Sequence, residues 1–349
     1  MEFLAGKSVS ELRNWAETQG FPAWRGSQLA EWIYRRGMIR PEEMSNLPAD
    51  FRELVARSFH APGTRIAETL ESPDGVKKLK LELFDGEIIE MALIPSPERL
   101  TFCLSTQVGC PVGCRFCASG EFGFKRNLAA GEIIEELLLG IECAGRRCDN
   151  IVFMGIGEGL LNFSNLAAAL ETLTSPDAFN FSPRRITVST SGYVPGMEKF
   201  AELGREYTLA ISLHAPNDAI RAKLIPDPLR YSVSEILAAA DRCREATGRQ
   251  YTIEYTLVSG INDSIAAAKE LGALARAHRA KVNLIPLNAA AGSFKRPPTG
   301  TIREFEEQLA AAGAHVTRRM ERGGKRAAAC GQLRAESLRA ARNCKPDTP

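Results

Sequence analysis

Residues 100–117 read LTFCLSTQVGCPVGCRFC, and this stretch decides how the rest of the chain is interpreted. It begins with a β-rich run at 101–105 and continues into a loop that holds Cys110, Cys114 and Cys117. Loops that follow strands at the carboxyl edge of an α/β sheet are where such folds place their chemistry. The sequence therefore predicts a reactive site directly after the first strand of an α/β domain.

Beyond this loop, β-rich runs alternate with helical stretches. The predicted strands lie at 101–105, 150–155, 185–191, 207–214, 251–258, 281–287 and 314–319. The predicted helices between them lie at 131–144, 163–173, 233–246, 264–279 and 302–313. This alternation indicates an α/β fold with a parallel sheet and right-handed crossovers. Seven strands suit a full or partial (β/α) barrel of the TIM type better than a short open sheet.

The chain before residue 98 has a different organisation. Residues 1–72 read as a small helical domain, because helix-start residues precede apolar residues at helical spacing. Residues 77–93 alternate polar and apolar types on either side of Asp85-Gly86, which predicts a β-hairpin. We therefore divide the chain into a helical accessory domain at 1–72, a hairpin and linker at 73–97, and a barrel domain at 98–349.

The composition of the 349 residues is that of an ordinary globular protein, with 44% hydrophobic and 25% charged residues. These values argue against a disordered or fibrous chain. No stretch approaches the roughly 18 uninterrupted apolar residues of a membrane span, and the N-terminal residues lack the pattern of a secretory signal. We therefore expect a cytoplasmic protein without membrane contact, and a monomer because nothing in the sequence suggests an obligate oligomer.

The charge is distributed unevenly along the chain. The net charge is only +2, yet residues 315–349 hold nine Lys or Arg against three acids. Aromatic residues also lie among arginines near the N-terminus, where Trp24 and Trp32 are close in sequence to Arg25 and Arg36. Basic segments can bind a polyanion, and aromatic–arginine sets can clamp nucleic acid. A solvated helix face and a helical core with a charged rim are the alternatives, which charge and composition alone do not separate.

The nine cysteines are an odd number in a chain for which we expect a reducing compartment, so metal binding or chemistry is favoured over disulfide bonds. Cys110, Cys114 and Cys117 supply three thiolates, one fewer than the four protein ligands usual for an iron–sulfur cube. A missing ligand leaves an open coordination position, as catalytic metal sites have. A zinc site completed by a distant residue is the alternative, but the position after the first strand favours the cluster.

Several long motifs in a fixed order extend this interpretation. They are residues 103–117, FGFKRNL at 122–128, SLHAPND at 212–218, NLIP at 283–286 and AACGQL at 328–333, with residues 21–37 and MSNLP at 44–48 near the N-terminus. In these motifs the chain resembles the radical S-adenosylmethionine RNA methyltransferases of the RlmN/Cfr family, over nearly its whole length. The resemblance implies a radical S-adenosylmethionine barrel and an RNA-binding role for the accessory domain.

The resemblance also implies one [4Fe-4S] cluster held by the three loop cysteines, with S-adenosylmethionine bound at its open iron. The residues implied to bind S-adenosylmethionine are Gly157, Glu158, Ser189, Ser212, Leu213, His214 and Asn288. A glutamate suits the ammonium group of this molecule through a charge-assisted hydrogen bond. The glycines at 155–159 lack the G-x-G-x-x-G spacing of a dinucleotide site, and a histidine such as His214, taken singly, is more often structural.

Three further residues take their roles from the resemblance. Cys330 is implied to be an S-methylcysteine intermediate, although a cysteine among alanines is usually a small buried apolar residue. Cys103 is implied to be the thiol that resolves a protein–RNA adduct by disulfide formation. Glu90 matches the family's proton acceptor. For that role Cys103 is a competing candidate, and an exposed strand carboxylate is the alternative interpretation of Glu90.

The implied activity is methylation of an adenine ring carbon, with C2 favoured over C8, in 23S rRNA and also in tRNA. Two S-adenosylmethionine molecules are used, and an electron donor such as flavodoxin reduces the cluster. The ring carbons are poor nucleophiles, so a covalent radical route replaces direct displacement. The alternatives are a family paralogue acting on another RNA, a metal-containing RNA-binding protein without turnover, and a radical enzyme of another outcome.

The chain departs from the family's usual pattern at three places. Gly159 follows the glutamate where proline is usual, and Gly324-Lys325-Arg326 replaces an acidic run. Leu287 and Ala289 stand where a tryptophan and a proline usually flank the asparagine. Glycine frees one backbone dihedral without removing the glutamate. We therefore expect the chemistry to be kept while the RNA target stays open.

Overall fold

The computed structural model describes residues 2–120, 123–226, 231–288 and 294–319. Its helices are α1 (Val9–Thr18), α2 (Ala23–Ala30), α3 (Ala49–Ser58), α4 (Ala130–Ala144), α5 (Phe163–Thr174), α6 (Val194–Glu202), α7 (Asp218–Leu224), α8 (Val233–Thr247), α9 (Ile265–Ala277) and α10 (Thr299–Ala311). Its strands are β1 (Glu2–Phe3), β2 (Phe59–His60), β3 (Arg65–Glu71), β4 (Lys77–Glu82), β5 (Ile88–Pro95), β6 (Leu100–Cys103), β7 (Gln107–Gly109), β8 (Phe124–Asn127), β9 (Asn150–Phe153), β10 (Ile186–Thr190), β11 (Thr208–Ser212), β12 (Thr252–Leu257), β13 (Lys281–Pro286) and β14 (His315–Arg318). None of these helices is long and apolar enough to cross a bilayer.

In the described part of the chain, the main sheet has ten strands in the order β14-β13-β12-β11-β10-β9-β6-β5-β4-β3. From β6 to β14 neighbouring strands run parallel, whereas β3, β4 and β5 join antiparallel. The parallel strands coincide with the seven predicted β-rich runs, and helices connect them, because parallel neighbours require long crossovers. β14 and β3 are the edges of this sheet, so the barrel is open. The predicted partial barrel is confirmed.

The register of the sheet collects polar side chains on one face. Cys103 pairs with Val152, and Val152 pairs with Thr187. Farther along the sheet, Ser212 pairs with Glu254. Paired residues on neighbouring strands point to the same side of a sheet, while the residues between them point to the other side. This polar face is the inner surface of the barrel, and the apolar outer face carries the crossover helices.

The N-terminal helices form a small unit with its own buried side chains. α1 begins at a capping box in which the Ser8 hydroxyl accepts from the N–H of Glu11 and the Glu11 carboxylate accepts from the N–H of Ser8. Leu12, Phe51 and Val55 of α1 and α3 are fully buried. The apolar residues whose spacing predicted helices in this part of the chain are therefore the residues on the buried faces of those helices.

Residues 65–71 differ from the expectation that residues 1–72 are helical. They form β3, which pairs antiparallel with β4 at the edge of the main sheet. Most of the side chains of this strand are exposed and many are charged, so the alternation that marks a strand is weak in its sequence. Pairing with β4 decides its conformation. The domain boundaries at 72 and 97 stay a prediction.

A buried carboxylate ties the segment before β3 to the barrel. The N–H of Gly63 donates to the two carboxylate oxygens of Glu135 in α4 at 3.0 and 3.1 Å. Burial raises the pKa of Glu135 from its usual value near 4.5 to about 7. The folded chain therefore holds this proton more tightly than the unfolded chain. The stabilisation is complete below about pH 4.5 and is lost as the pH rises through about 7.

We expect Glu135→Gln to remove this loss, because glutamine keeps an acceptor and does not ionise. Between pH 5 and pH 8 the free energy of unfolding should fall by up to about 3 kcal/mol more in the wild-type protein than in the variant. Urea unfolding at both pH values measures the difference. Glu142→Gln, on the same helix but half exposed in an ion pair with Arg40, is the control and should keep the wild-type decline. An equal decline in Glu135→Gln would contradict the prediction.

Candidate active site

A cavity of about 160 Å³ lies at the carboxyl ends of the parallel strands. It is lined by nine of the residues predicted for the site: Cys110, Cys114, Cys117, Gly157, Glu158, Ser189, Ser212, His214 and Asn288. Parallel strands present all their carboxyl ends at one edge of the sheet, which is why residues so distant in sequence meet here. The predicted convergence at this edge is therefore present in the structure.

The cysteine loop is supported by a short antiparallel ribbon of β7 and β8. Gly109 has a φ of +78°, and a Cβ at this residue would lie 1.8 Å from the carbonyl oxygen of Gly123. Only glycine allows so close an approach. The N–H of Cys110 donates to the same carbonyl at 3.2 Å, and the N–H of Cys117 donates to the carbonyl of Cys114 at 3.0 Å. Backbone contacts therefore help to shape the loop.

The thiols of this loop lie in a surrounding that disfavours negative charge. Burial raises the pKa of Cys110 to about 12 and that of Cys114 well above its usual value, and the neighbouring thiols add to the shift. Thiolate is the form that binds a metal. Binding must therefore release protons, and the positive charge of the metal must offset the cost of burying thiolates.

The donor set fits an iron–sulfur cube with one open iron. Three soft thiol ligands line the cavity together with Glu158, Ser189 and His214, and no fourth thiol is among the described lining residues. Within the described ranges, no three Cys, His, Asp or Glu side chains converge on a point that could hold one metal ion. Three thiols with an open coordination position suit a catalytic cluster better than a closed structural zinc site.

Glu158 is held rigidly at the end of β9. Its carboxylate accepts from the N–H of Ser191 at 2.6 Å and from the N–H of Leu160 at 3.2 Å. Its own N–H donates to the side-chain oxygen of Gln107 at 2.8 Å. Burial raises the pKa of Glu158, and the N–H donors oppose that shift. Glu158 is therefore a fixed acceptor in the cavity lining.

Gly157 is required by the backbone at this point. Its φ is +110°, and a Cβ would lie 2.6 Å from the Cβ of Gln107. We expect Gly157→Ala to lower the free energy of unfolding by about 2–5 kcal/mol through strain and overpacking, and to weaken binding of S-adenosylmethionine by displacing Glu158. Chemical denaturation and equilibrium binding measure the two effects.

The control for this variant is Gly204→Ala. Gly204 has a φ of +59°, but a Cβ there would meet nothing within 4 Å. This substitution should cost about 1 kcal/mol from the left-handed backbone alone and leave ligand binding unchanged. Equal effects of the two substitutions would contradict a specific role for the close approach at Gly157.

His214 is a neutral hydrogen-bond donor in the cavity wall. Its Nδ1 accepts from the N–H of Thr256 at 2.9 Å, so the ring proton is on Nε2. Burial lowers the pKa of His214 to about 3, and the charge of Arg221 adds to the shift. Asn262 holds the histidine backbone in its left-handed conformation by donating to the carbonyls of His214 and Thr256 at 2.8 and 2.7 Å. The ring is therefore fixed and uncharged.

The comparisons with known proteins agree with this geometry. A family model described as Radical SAM superfamily matches residues 104–271, and one described as Ribosomal RNA large subunit methyltransferase N-terminal domain matches residues 4–60. A probable dual-specificity RNA methyltransferase RlmN of Thermosynechococcus vestitus is 42% identical over 337 residues, which cover 96% of this chain and 99% of that protein. The chain belongs to the RlmN family of radical S-adenosylmethionine RNA methyltransferases. The predicted family and enzyme class are confirmed.

Two further matches support the same family. A probable dual-specificity RNA methyltransferase RlmN of Gloeobacter violaceus is 43% identical, with 96% of each chain covered. The crystal structure of a radical SAM methyltransferase from Sphaerobacter thermophilus is 40% identical and superposes with a TM-score of 0.92 over 96% of this chain and 100% of that chain. The RlmN relation therefore extends over both the helical N-terminal part and the barrel.

Glu90 and Cys103 do not line the cavity but lie on the inner face of the sheet. Cys103 pairs with Ala92 across β5 and β6, and Glu90 is two residues before Ala92, so both side chains point to the same side. Glu90 is fully buried, with the Nζ of Lys78 at 3.5 Å from its carboxylate. The interpretation of Glu90 as an exposed strand carboxylate is therefore wrong.

Leu213 and Cys330 are the other two residues predicted for the site. Leu213 is fully buried and does not line the cavity, and its N–H donates to the carbonyl of Glu254 at 3.2 Å. Cys330 lies outside the described residues, as do Phe122, the departures at 324–326 and the motif at 328–333. The roles implied for these residues stay predictions.

Several cavity residues were not predicted as site residues from the sequence of this RlmN family member. Phe116, Glu254, Thr256 and Arg319 line the cavity together with the predicted residues. The carboxylate of Glu254 accepts from the side-chain amide of Asn283 at 2.7 Å. Thr256 lies near the carboxyl end of β12, so the rule that chemistry gathers at carboxyl ends of strands could have found it, whereas Glu254 lies in the middle of that strand.

The aromatic residues of the N-terminal helices divide between core and surface. Tyr34 is buried, and Trp15 packs on Phe51 with ring centroids 5.8 Å apart. Trp24 is half exposed, with the guanidinium carbon of Arg25 at 3.9 Å from its ring centroid. The core interpretation therefore holds for the first two residues, while Trp24 and Arg25 form an exposed stacked pair.

Proposed function

We propose that this protein methylates an adenine ring carbon, C2 rather than C8, in 23S rRNA and in tRNA. The observation that carries the proposal is the cavity that the three loop cysteines line together with Glu158, His214 and Asn288. The relatives are named as probable dual-specificity RNA methyltransferases, and these names support two RNA substrates.

In this proposal Cys110, Cys114 and Cys117 hold a [4Fe-4S] cluster, which when bound supplies the electron that cleaves S-adenosylmethionine. Glu158 accepts from the ammonium group of S-adenosylmethionine, which its fixed carboxylate suits. Ser189, Ser212 and the Nε2–H of His214 supply hydroxyl and ring N–H groups for the rest of the molecule, together with Gly157, Leu213 and Asn288.

The methyl carrier in the proposal is Cys330. Its thiolate accepts a methyl group from one S-adenosylmethionine, and the methyl group later loses a hydrogen atom to the 5′-deoxyadenosyl radical formed from a second. The carbon radical then adds to the adenine ring. Glu90 accepts the ring proton, and the Cys103 thiolate attacks the sulfur of Cys330, which breaks the S–C bond, forms the Cys103–Cys330 disulfide and leaves the transferred carbon to take up a proton as the methyl group. The one unpaired electron would return to the cluster that supplied it. The shared inner face of Glu90 and Cys103 supports this division of roles.

The N-terminal domain, proposed at residues 1–72, would contact RNA. The stacked pair of Trp24 and Arg25 and the pair of Trp32 and Arg36, with a guanidinium carbon 4.2 Å from the indole centroid, offer aromatic faces and positive charge for nucleotides. We further propose that the protein acts as a cytoplasmic monomer and receives electrons from a donor such as flavodoxin.

Anaerobic reconstitution with iron, sulfide and S-adenosylmethionine tests the proposal. The reduced protein is incubated separately with 23S rRNA and with tRNA from a strain that lacks the corresponding enzyme, and the nucleosides are identified by mass spectrometry against methyladenosine standards. We expect 2-methyladenosine in both RNAs. Formation of 8-methyladenosine alone would overturn the choice of carbon, and cleavage of S-adenosylmethionine without RNA methylation would overturn the substrate. A protein that neither cleaves nor methylates would be the non-catalytic alternative.

A further inference from the structure

Arg221 in α7 lies beneath the cavity and is completely buried. One Nη group donates to the carbonyl of Ser212 at 3.2 Å and also to that of Leu213. The other Nη group donates to the carbonyl of Ser191. These carbonyls lie at the carboxyl ends of two neighbouring strands, β10 and β11, so one side chain joins the two strand ends that border the cavity.

The residues that Arg221 joins contact or adjoin two residues proposed to bind S-adenosylmethionine, Glu158 and His214. Ser191 donates its N–H to the Glu158 carboxylate at 2.6 Å, and Leu213 is followed directly by His214. The planar fork of a guanidinium can satisfy several carbonyls at fixed angles, which the ammonium of a lysine cannot do. Arg221 therefore positions Glu158 through Ser191 and positions His214 through Leu213.

The charge of Arg221 also acts on the site. A guanidinium stays protonated in a protein interior. This charge adds to the burial that lowers the pKa of His214, a residue of the cavity lining. The α7 helix that carries Arg221 contacts the cysteine loop, because the N–H of Arg115 donates to the carbonyl of Leu224 at 3.0 Å. A fixed positive charge is therefore built into the helix that contacts the loop of thiol ligands.

We infer that Arg221 is a positioning residue with a second, electrostatic role: it orders the ends of β10 and β11 for S-adenosylmethionine, and its charge raises the reduction potential of a cluster bound at Cys114. This inference rests on the proposed function. Reduction adds one electron, supplied by an external donor protein, to a site that already carries three thiolates. A nearby buried cation stabilises the reduced form, because charges interact strongly where water is excluded.

Two substitutions separate the two roles. Arg221→Met removes the charge and the fork, whereas Arg221→Lys keeps the charge and loses the fork. The control is Arg244→Met in α8, which removes a partly buried arginine that also donates to a backbone carbonyl, that of His278, outside the cavity. All proteins are reconstituted with the cluster. The midpoint potential is read by electron paramagnetic resonance during a redox titration, and the affinity for S-adenosylmethionine is measured by equilibrium binding.

We expect Arg221→Met to lower the midpoint potential and to weaken binding by about tenfold, the effect of one lost charged hydrogen bond. Arg221→Lys should keep a potential near that of the wild-type protein and show the weaker binding. Arg244→Met should change neither quantity. An unchanged potential in Arg221→Met would overturn the electrostatic role, and unchanged binding in Arg221→Lys would overturn the positioning role.

The lysine variant keeps the inference testable if the methionine variant does not fold. In that case, a midpoint potential in Arg221→Lys clearly below that of the wild-type protein would contradict the role of the charge. The wild-type protein separates this inference from the proposed function. If it binds no cluster, the proposed function itself fails, whereas a normal wild-type cluster with unaffected variants refutes only the inference about Arg221.

Discussion

Replacing Cys330 by alanine is expected to abolish methylation of RNA and to leave the iron–sulfur cluster in place. The thiol of Cys330 would be the only route by which the transferred carbon reaches the adenine ring, so its removal leaves no slower version of the same reaction. The variant should still contain iron and sulfide and should still cleave S-adenosylmethionine. Mass spectrometry of the RNA and of the protein measures methyl transfer and methylation of the thiol.

Cys143→Ala is the matched control for this variant. Cys143 is a partly buried cysteine in α4, outside the residues that line the cavity. It should retain RNA methylation close to that of the wild-type protein. Methylation of RNA by Cys330→Ala would refute the cysteine carrier, and loss of the cluster in the same variant would show that Cys330 acts as a ligand instead.

The second large effect is expected for Cys114→Ala. With only two of the three thiols left, the loop should fail to hold the cluster, and iron content, visible absorption and cleavage of S-adenosylmethionine should fall together to background. Cys114 is the most informative of the three residues, because burial raises the pKa of its thiol well above the usual value. A metal is needed there to make thiolate the stable form.

Cys148→Ala tests whether burial alone explains such a loss. Cys148 is a buried cysteine before β9, and burial raises its pKa to about 12, but it is not in the loop. Its substitution should lower stability moderately and leave the iron content unchanged. Full iron content in Cys114→Ala, or one zinc ion in place of iron and sulfide in the anaerobically purified wild-type protein, would contradict the proposed ligand set.

Local patterns were enough to predict most of the barrel. Strands such as β12 and β13 are short β-rich runs bounded by polar segments, and the helices between them have regular apolar spacing. Short or mostly exposed elements were harder to predict. The seven-residue helix α7 and the edge strand β3 have weak patterns of their own, and contacts with the rest of the fold decide their conformation.

The sequence by itself determined the cysteine loop, the order of strands and helices, and the positions at strand ends that would carry chemistry, because spacing along the chain records each of these. Only the folded molecule showed that Arg221 joins two strand ends, that Glu254 faces the cavity and that Glu90 is buried beside Lys78. Such contacts join residues on different elements. Register, burial and the direction of each side chain arise when the sheet and its helices pack, and they leave no local pattern in the chain.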